Sequence, residues 1–270
     1  MMQCLINGES RDSISIHDRG LLYGDGLFES IVARAGEPLL WPLHWRRLSH
    51  DAQRLGIAPP DEAQLLTEIR SVLQGCDRAT LKIILTRGQG QRGYRTPEKQ
   101  APTRIVISLP AADYPVEWSS KGIAATLSDI QLSQQPRLAG IKHLNRLEQV
   151  LAQSGCQPDF AEALVCDRHG NIIEGIRSNV FIVEQGVLIT PDLSYCGVAG
   201  VMRANIIEKA RALDIPIAVE SLDIQRLQKA QACFVTNSLI GIWPVASIDR
   251  RAMVTGHVTR VLQEAIDGDY

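Results

Sequence analysis

The stretch from Gly140 to Val150 constrains this chain of 270 residues more than any other, because an irregular segment meets a helical pattern there. It reads GIKHLNRLEQV and follows the segment SQQPRLAG, in which a proline and a glycine break regular structure. The sequence therefore predicts a loop that ends near Lys142 and a helix that continues to Gln153. The apolar residues that recur at helical spacing after the loop are Leu144, Leu147 and Leu151.

Lys142 lies off this apolar stripe, at the point where the helix is predicted to begin. A lysine held beside apolar walls loses solvation, which lowers its pKa and suits it to act as a Schiff-base nucleophile or a general base. For an isolated lysine, a solvated side chain near a helix start is the simpler interpretation.

The overall composition is that of an ordinary globular protein, with 45% hydrophobic and 21% charged residues. The 28 basic and 30 acidic side chains leave a net charge of −2, so we expect no partnership with nucleic acid or with a membrane surface. No apolar run approaches the roughly 20 residues of a membrane span, and the N-terminal MMQCLINGESRD lacks a secretory pattern. The six cysteines show no metal-ligand spacing, so we expect reduced thiols, no metal and a cytoplasmic protein.

Strand-like and helix-like patterns are mixed along the chain, which predicts an α/β fold with α+β character. Two prolines and no periodicity mark 110–118 as a linker between an N-terminal α/β domain, 1–109, and a C-terminal α/β domain, 119–270. The predicted strands are 2–7, 27–33, 39–41, 79–86, 104–109, 122–127, 161–166, 172–174, 180–183, 189–191, 217–219 and 233–236. The predicted helices, besides the one after Lys142, are 42–55, 61–73, 200–213, 222–227 and 252–266.

A glycine-rich segment, RGQGQRGYRTP, follows the predicted strand 79–86 and contains a literal G-x-G-x-x-G. Nucleotide-binding versions of this motif open a helix, whereas prolines follow here and no helical period appears. We interpret the segment as a loop between two strands. Its charges and its aromatic ring face either solvent or a substrate, and the residues alone favour neither alternative.

Four signals together resemble the pyridoxal 5′-phosphate (PLP) enzymes of fold type IV, the D-amino-acid and branched-chain aminotransferase-like family. They are the sequence HWRRL at 44–48, the lysine block at 140–150, the sequence EGIRSN at 174–179 and the helix that begins near Gly200. They occur in the family's order and span most of the chain. The resemblance implies two α/β domains, PLP as cofactor and a homodimer.

The resemblance also implies how the cofactor is held. Lys142 carries PLP, Arg47 binds its phosphate through a charge-assisted fork, and Glu174 pairs with the pyridine nitrogen and keeps it protonated. Without the resemblance, Arg47 and its neighbour Arg46 are solvated arginines, and Glu174 is a surface residue at a strand end.

Further contacts follow from the same resemblance. The backbone N–H groups of Val201 and Met202, at a helix start, are expected to bind the phosphate. The loop residues Asn237 and Ser238 are the polar candidates on the phosphate side, while Asn179 is interpreted as a turn residue that bonds local backbone. The predicted substrate-binding residues are Arg92 and Tyr94, from the glycine-rich segment, and Ser30, from the strand after the turn YGDG.

Within the family, the lysine block and RGQGQRGY are similar to the aminodeoxychorismate lyases. Such an enzyme converts 4-amino-4-deoxychorismate to 4-aminobenzoate and pyruvate in folate biosynthesis. An aminotransferase of D- or branched-chain amino acids uses the same fold and the same lysine, and fold does not decide chemistry. A PLP-binding protein without turnover is disfavoured, because Lys142, Arg47 and Glu174 are all present.

Overall fold

The computed structural model describes residues 3–268, in which strands and helices are mixed as predicted. The strands are β1 (Gln3–Ile6), β2 (Glu9–Ser10), β3 (Gly26–Arg34), β4 (Glu37–Pro38), β5 (Arg78–Thr86), β6 (Thr103–Pro110), β7 (Ile123–Leu132), β8 (Glu162–Asp167), β9 (Ile172–Gly175), β10 (Asn179–Glu184), β11 (Val187–Pro191), β12 (Ile217–Glu220), β13 (Ala232–Asn237), β14 (Gly241–Ile248) and β15 (Arg251–Ala252). The helices are α1 (Arg19–Tyr23), α2 (Trp41–Leu55), α3 (Glu62–Leu73), α4 (Glu117–Lys121), α5 (Leu147–Gly155), α6 (Val201–Ala212), α7 (Ile224–Lys229) and α8 (His257–Asp267).

One compact unit comprises the chain up to Asp113 together with the short segment Lys142–Asn145. Its sheet is antiparallel throughout, in the order β2-β1-β6-β5-β3-β4. α2 packs against β3, and α3 packs against β1, β4, β5 and β6. Side chains alternate between the two faces of a strand, and the buried face of β5 carries Leu81, Ile83 and Leu85.

The other unit comprises Tyr114–Ile141 and the chain from Arg146 onward. Its sheet runs β12-β11-β10-β13-β14-β7-β8-β9, with β15 paired to β14. β7 is parallel to both β8 and β14, and β11 is parallel to β12. Phe181 and Phe234 stack inside this unit with their ring centroids 4.9 Å apart. The lysine segment belongs to the first unit, although its position in the sequence lies within the predicted C-terminal domain, 119–270. The linker at 110–118 stays a prediction.

Most predicted elements are confirmed to within a few residues. Asp61 caps α3 by accepting a hydrogen bond from the backbone N–H of Gln64 at 2.8 Å, as its position before the helix predicted. The predicted turn at Asn7 and Gly8 joins β1 to β2, and both residues have positive φ.

The predicted helix start at Lys142 is wrong. α5 begins only at Leu147, and the supposed apolar stripe does not form a buried face, since Leu147 is 77% and Leu151 56% exposed. Lys142 lies in a segment without helical hydrogen bonding, because its backbone pairs with a strand of the first unit. The periodicity after Lys142 identified a real helix but not the surface that the helix buries.

Three other predictions differ from the structure, and one strand was missed. The return strand predicted at 39–41 is shorter and earlier, as β4, because α2 already begins at Trp41. YGDG, predicted as a turn, includes the end of α1, which closes at Gly24 in the left-handed conformation. β14 was not predicted, and α8 begins at His257 rather than at 252.

No helix among residues 3–268 combines the length and the apolar character that crossing a membrane requires. All six cysteines are free thiols, as their spacing predicted.

Residues 87–102 connect β5 to β6, and we call them the glycine-rich loop. Gly88 gives a test of how closely the two ends of this loop approach each other. Its φ is +85°, and a Cβ atom there would lie 1.9 Å from the carbonyl oxygen of Ala101. Gly75, in the same unit, has a φ of +77° and no atom within 4 Å of such a Cβ. We expect Gly88→Ala to lower the free energy of unfolding by roughly 3 kcal/mol, against about 1 kcal/mol for Gly75→Ala, because only the first adds a steric clash to backbone strain. Urea unfolding followed by circular dichroism measures both, and equal midpoints would contradict the close approach.

Candidate active site

The backbone of Lys142 is held on both sides. Its N–H donates to Oδ2 of Asp51 on α2 at 3.1 Å, and its carbonyl accepts from the N–H of Phe28 on β3 at 3.1 Å. A second bond, from the N–H of Leu144 to the carbonyl of Gly26 at 3.0 Å, completes an antiparallel bridge to β3. A side chain on a backbone fixed in this way starts from a defined position, which is what a group that must meet a reacting atom requires.

The amine of Lys142 lies over an aromatic ring. Its Nζ is 4.2 Å from the ring centroid of Phe28, and the Nζ of Lys82 is 5.4 Å from the same centroid. Ser30 is two residues beyond Phe28 and is the direct partner of Lys82 in the β3–β5 register, so the three side chains share one face of the sheet. The structure thus brings the predicted residues Lys142 and Ser30 to one region, and adds Phe28 and Lys82.

A buried carboxylate occupies the opposite face of β3. Glu29 accepts from Nδ1 of His44 at 2.7 Å and from Nε of Arg47 at 2.8 Å, and Nη2 of Arg47 makes a further short contact. Burial alone would raise the pKa of Glu29, but the charge of Arg47 and the hydrogen bonds from Arg47 and His44 outweigh it and lower that pKa to about 2. Arg47, which the family resemblance assigned to the cofactor phosphate, is therefore a mostly buried arginine whose fork is oriented by Glu29.

His44 ends this cluster with an unsatisfied atom. Burial lowers the pKa of His44, and because the Glu29 carboxylate only accepts, Nδ1 of the neutral ring carries the proton. Nε2 is then an acceptor, and it is buried without a hydrogen-bond partner among the described residues. A polar atom of this kind is costly unless a ligand or water meets it. Glu29 links this ring to Arg47, because both side chains donate to its carboxylate.

The two predicted substrate-binding residues of the glycine-rich loop are solvent-exposed. Arg92 is exposed and the side chain of Tyr94 is 86% exposed, although the backbone around them is held by hydrogen bonds from α1. Arg46 is exposed as well, which separates it clearly from its buried neighbour Arg47.

In the second unit, Glu174 is a buried residue of β9, so the alternative of a surface residue at a strand end is wrong. It is only 4% exposed, and its Oε2 accepts from the backbone N–H of Val198 at 2.7 Å. Arg146 is near enough for the charge of Glu174 to raise its pKa, although burial lowers the pKa of Arg146 by more.

Asn179 is also placed differently from the prediction of a local turn residue. It belongs to β10, and its Nδ2 donates to the carbonyl of Val198 at 2.8 Å, nineteen residues away. Glu174 and Asn179 therefore hold the N–H and the carbonyl of one residue, Val198. They fix the segment that leads into α6 at Gly200.

The predicted helix start near Gly200 is confirmed, since α6 begins at Val201. Gly200 is the N-cap and supplies no side-chain hydrogen bond to the first turn, and Val201 and Met202 are buried. Backbone N–H groups at such a start suit an anion, because the helix dipole and the missing cap act in the same direction.

Asn237 closes a turn in the structure. Its Oδ1 accepts from the N–H groups of Leu239 and Ile240 at 2.8 and 3.1 Å, and its Nδ2 donates to the carbonyl of Arg177 at 3.0 Å. These bonds build the connection between β13 and β14, in which Ser238 is the first turn residue. The carboxamide of Asn237 is thus already hydrogen-bonded within the chain. Of the predicted pair, Ser238 is therefore the better candidate for a contact with the phosphate.

The predictions from sequence missed Phe28, Lys82, His44 and Glu29. One signal was available for Glu29, which stands between Leu27 and Ile31 at a position that strand alternation reserves for a core residue. The residues that the structure describes contain no group of His, Cys, Asp and Glu side chains that could hold a metal ion.

Comparison with known proteins shows which family has this architecture. Residues 26–248 match the family amino-transferase class IV. An aminodeoxychorismate lyase of Vibrio harveyi is 31% identical over 263 residues, which cover 96% of this chain and 97% of that protein. The crystal structure of 4-amino-4-deoxychorismate lyase from Pseudomonas aeruginosa superposes with a TM-score of 0.95 at 40% identity, covering 99% of this chain and 100% of the other. A D-alanine aminotransferase of Staphylococcus aureus is 26% identical over 278 residues, 99% of this chain and 97% of that protein. The predicted fold type is confirmed by these matches.

The pKa of Glu29 gives a test of the buried cluster. Because the folded-state pKa of about 2 lies below the ordinary 4.5, the stability that Glu29 contributes is present above pH 4.5 and is lost as the pH falls toward 2. A shift of this size corresponds to roughly 3 kcal/mol. We expect Glu29→Gln to be less stable at pH 7 and to lose less further stability between pH 4.5 and 3 than the unsubstituted protein.

Urea unfolding at a series of pH values measures this, with Glu37→Gln as the control. Glu37 also pairs with an arginine, Arg70, but both side chains are more than half exposed, so this substitution should leave the pH profile unchanged. A Glu29→Gln profile parallel to that of the unsubstituted protein would contradict a lowered pKa of Glu29.

Proposed function

This chain belongs to the amino-transferase class IV family, and from that premise we propose that it is a PLP-dependent lyase that converts 4-amino-4-deoxychorismate to 4-aminobenzoate and pyruvate. The single observation that carries the proposal is the match along essentially the whole chain to the lyase structure from Pseudomonas aeruginosa. The lysine block, the buried glutamate and the arginine of α2 support it, because each of these side chains has the chemistry that its proposed role requires.

The chain's own groups fit a flat, anionic aldehyde cofactor. Lys142 provides an amine beside an aromatic ring, Arg47 provides a buried cation next to an orphaned ring nitrogen, and Glu174 provides a carboxylate in a backbone cradle. The uncapped start of α6 adds N–H donors of the kind that phosphate favours. The aldehyde, the phosphate and the pyridine nitrogen of the cofactor therefore each have a chemically matched residue.

When bound, PLP supplies an electron-withdrawing ring that accepts the electron pair left when a proton departs from C4 of the substrate. Lys142 would hold the cofactor at its aldehyde group, and the Nζ of Lys142 would take the proton from C4 of the substrate. Loss of the enolpyruvyl group from C3 leaves an aromatic product, 4-aminobenzoate, and the departing group yields pyruvate.

Two further residues control the cofactor in this proposal. Arg47, oriented by Glu29, binds the phosphate, and Glu174 keeps the pyridine nitrogen protonated so that the ring withdraws electrons. The N–H groups of Val201 and Met202, with Ser238, are proposed to add phosphate contacts. Arg92, Tyr94 and Ser30 are proposed to bind the substrate.

An aminotransferase is the second candidate, because the D-alanine aminotransferase of Staphylococcus aureus matches nearly the full chain. The two reactions differ in their requirement for an amino acceptor. The test incubates cofactor-loaded protein with 4-amino-4-deoxychorismate alone, and separately with D-alanine or L-leucine plus 2-oxoglutarate. We expect 4-aminobenzoate and pyruvate in equal amounts from the first. Turnover only in the second would replace the lyase by the aminotransferase.

We also propose that the protein is a cytoplasmic homodimer. Free thiols at all six cysteines support a reducing compartment. Apolar side chains that remain exposed in each unit, Leu21 and Leu22 on α1 and Leu147, Val150 and Leu151 on α5, support a partner surface. Analytical ultracentrifugation should give the mass of two chains, and a monomer at micromolar concentration would contradict the dimer.

The covalent role of Lys142 predicts where the cofactor is found after reduction. Treatment of the yellow protein with borohydride should remove its visible absorption and fix PLP on the peptide that contains Lys142. Mass spectrometry locates the label, and Lys82, over the same ring of Phe28, is the internal comparison. Label on Lys82 or on another lysine would contradict the assignment.

Arg47→Ala should weaken PLP binding strongly. Each lost charge-assisted bond to phosphate contributes about 1.5–3 kcal/mol, which corresponds to at least a tenfold higher Kd for PLP. Equilibrium titration followed by the cofactor's absorption measures this, and Arg46→Ala is the matched control. Equal Kd values for the two variants would show that Arg47 does not bind the phosphate.

Glu174→Gln should keep PLP bound but lose most activity. Glutamine is nearly the same size, so the bond from Val198 survives, while the charge that stabilises the protonated pyridine nitrogen is removed. The loss should appear in kcat rather than in KM, as for an interaction needed in the transition state. If kcat stays within about twofold, equivalent to ~0.4 kcal/mol in barrier, Glu174 is not the partner of that nitrogen.

A further inference from the structure

A buried arginine at the start of α1 holds the glycine-rich loop by its backbone. The side chain of Arg19 is 4% exposed, and its Nη1 donates to the carbonyl of Gly93 at 3.0 Å. The same guanidinium also reaches the carbonyls of Tyr94 and Arg95, at 3.3 and 3.4 Å. One side chain therefore binds three consecutive carbonyls of the loop, and the planar fork of an arginine, with five donors, suits this arrangement.

Tyr23, one turn further along α1, makes a second set of contacts with the same loop. Its hydroxyl accepts from the N–H of Gly93 at 3.0 Å, and its ring lies 5.4 Å from the ring of Tyr94. The guanidinium of Arg19 also lies over the ring of Tyr23, 4.9 Å from its centroid. Gly93 is thus held through both its N–H and its carbonyl by two side chains of one helix.

Asp25 anchors this arrangement at its base. It accepts from Nε of Arg19 at 2.8 Å and from Nε and Nη2 of Arg87 at 2.8 and 2.9 Å. Arg87, the first residue of the loop, also donates to the carbonyls of Leu55 and Gly56 at the end of α2. One carboxylate shared by two arginines leaves the remaining donors of Arg19 to be satisfied by the loop carbonyls.

Gly90 shows that the loop is built around Arg19. A Cβ atom at this position would lie 2.9 Å from Cδ of Arg19, so the loop passes the arginine at a distance that only glycine permits. The backbones also pair there, since the N–H of Arg19 donates to the carbonyl of Gly88 at 2.9 Å and the N–H of Gly90 donates to that of His17 at 3.2 Å.

The loop therefore combines a fixed backbone with exposed side chains. Arg92 and Tyr94 flank the doubly held Gly93, and both side chains are exposed. An ordinary exposed loop has no need of a buried arginine, whose ordering and desolvation are costly. A loop that must present a cation in one geometry does benefit from such an arginine. A loop that is already ordered pays no entropy cost for its ordering when the ligand binds.

We propose that Arg19 and Tyr23 are positioning residues that preset the glycine-rich loop, so that Arg92 binds a carboxylate of the substrate. The inference rests on the proposed lyase function, whose substrate is a dicarboxylate. Arg19 and Tyr23 act through the loop and do not themselves touch the substrate. Removing their bonds should leave the chemistry at Lys142 intact and weaken binding of the dicarboxylate.

The test uses the cofactor-loaded full chain with the substitutions Arg19→Lys and Tyr23→Phe. Arg19→Lys keeps the charge for Asp25 but loses the fork, and Tyr23→Phe removes only the hydroxyl. Arg70→Lys, at an exposed ion pair, is the control for the first. Tyr114→Phe is the control for the second. Tyr114 and Trp243 both belong to the other unit, where their ring centroids lie 4.9 Å apart. Both control substitutions should behave as the unsubstituted protein.

Two measurements are made on each variant. Limited trypsin digestion, read by mass spectrometry, reports cleavage after Arg92 and Arg95 and does not depend on any activity. We expect cleavage at least tenfold faster for Arg19→Lys and about threefold faster for Tyr23→Phe. Lyase kinetics should show KM raised by similar factors, kcat within twofold and an unchanged absorption spectrum of the bound cofactor.

The possible failures are distinguishable. Cleavage rates within twofold of the unsubstituted protein for both variants would overturn the positioning role of α1. Faster cleavage with unchanged KM would show that the loop is held but does not meet the substrate, which overturns the inference while the lyase function stands. If Arg19→Lys does not fold, Tyr23→Phe alone decides between these outcomes. Absence of lyase turnover in the unsubstituted protein would overturn the proposed function and, with it, the role toward the substrate.

Discussion

The short antiparallel bridge between β3 and the lysine segment is the interaction on which the candidate active site depends. It joins Lys142 to Phe28, residues more than a hundred positions apart in sequence, through main-chain hydrogen bonds. Asp51 adds a bond to the N–H of Lys142. Because the amine extends from a backbone fixed at both polar groups, its place over the ring of Phe28 follows from the strand and not from a helix.

β3 uses its two faces for two different tasks, which the alternation of a strand makes possible. Phe28 and Ser30 share a face with the region of Lys142, whereas Glu29, one residue away, occupies the core-facing side and pairs with Arg47 and His44. A carboxylate in a core position costs stability unless it is fully paired, and here two side chains of α2 pair it. The same pairing fixes the orientation of the Arg47 guanidinium. In the second unit, Glu174 and Asn179 similarly hold Val198 and the approach to α6.

The sequence predicted the elements well where local physics determines them and less well where distant residues do. Asp61 before α3 and the Asn7-Gly8 turn are local signals, and both predictions were confirmed. The helix predicted at Lys142 was wrong because the spacing of Leu144, Leu147 and Leu151 shows which residues share a face, but not whether another element covers it. Resemblance to a family predicted Lys142, Arg47 and Glu174 as cofactor residues, and these three assignments stay predictions. The roles of Glu29, Arg19 and Tyr23 could not be predicted, because the α2 side chains that pair with Glu29 and the loop groups that Arg19 and Tyr23 hold lie 15 to 76 residues away.

The fate of the substrate nitrogen tests the central claim most directly, since it separates elimination from amino transfer within one reaction. The measurement supplies 4-amino-4-deoxychorismate with ¹⁵N in its C4 amine, together with 2-oxoglutarate, and follows the label by mass spectrometry. As a lyase, the protein should retain all of the label in 4-aminobenzoate and release pyruvate in equal amount. Label in glutamate, with no 4-aminobenzoate formed, would contradict the lyase and identify the protein as an aminotransferase.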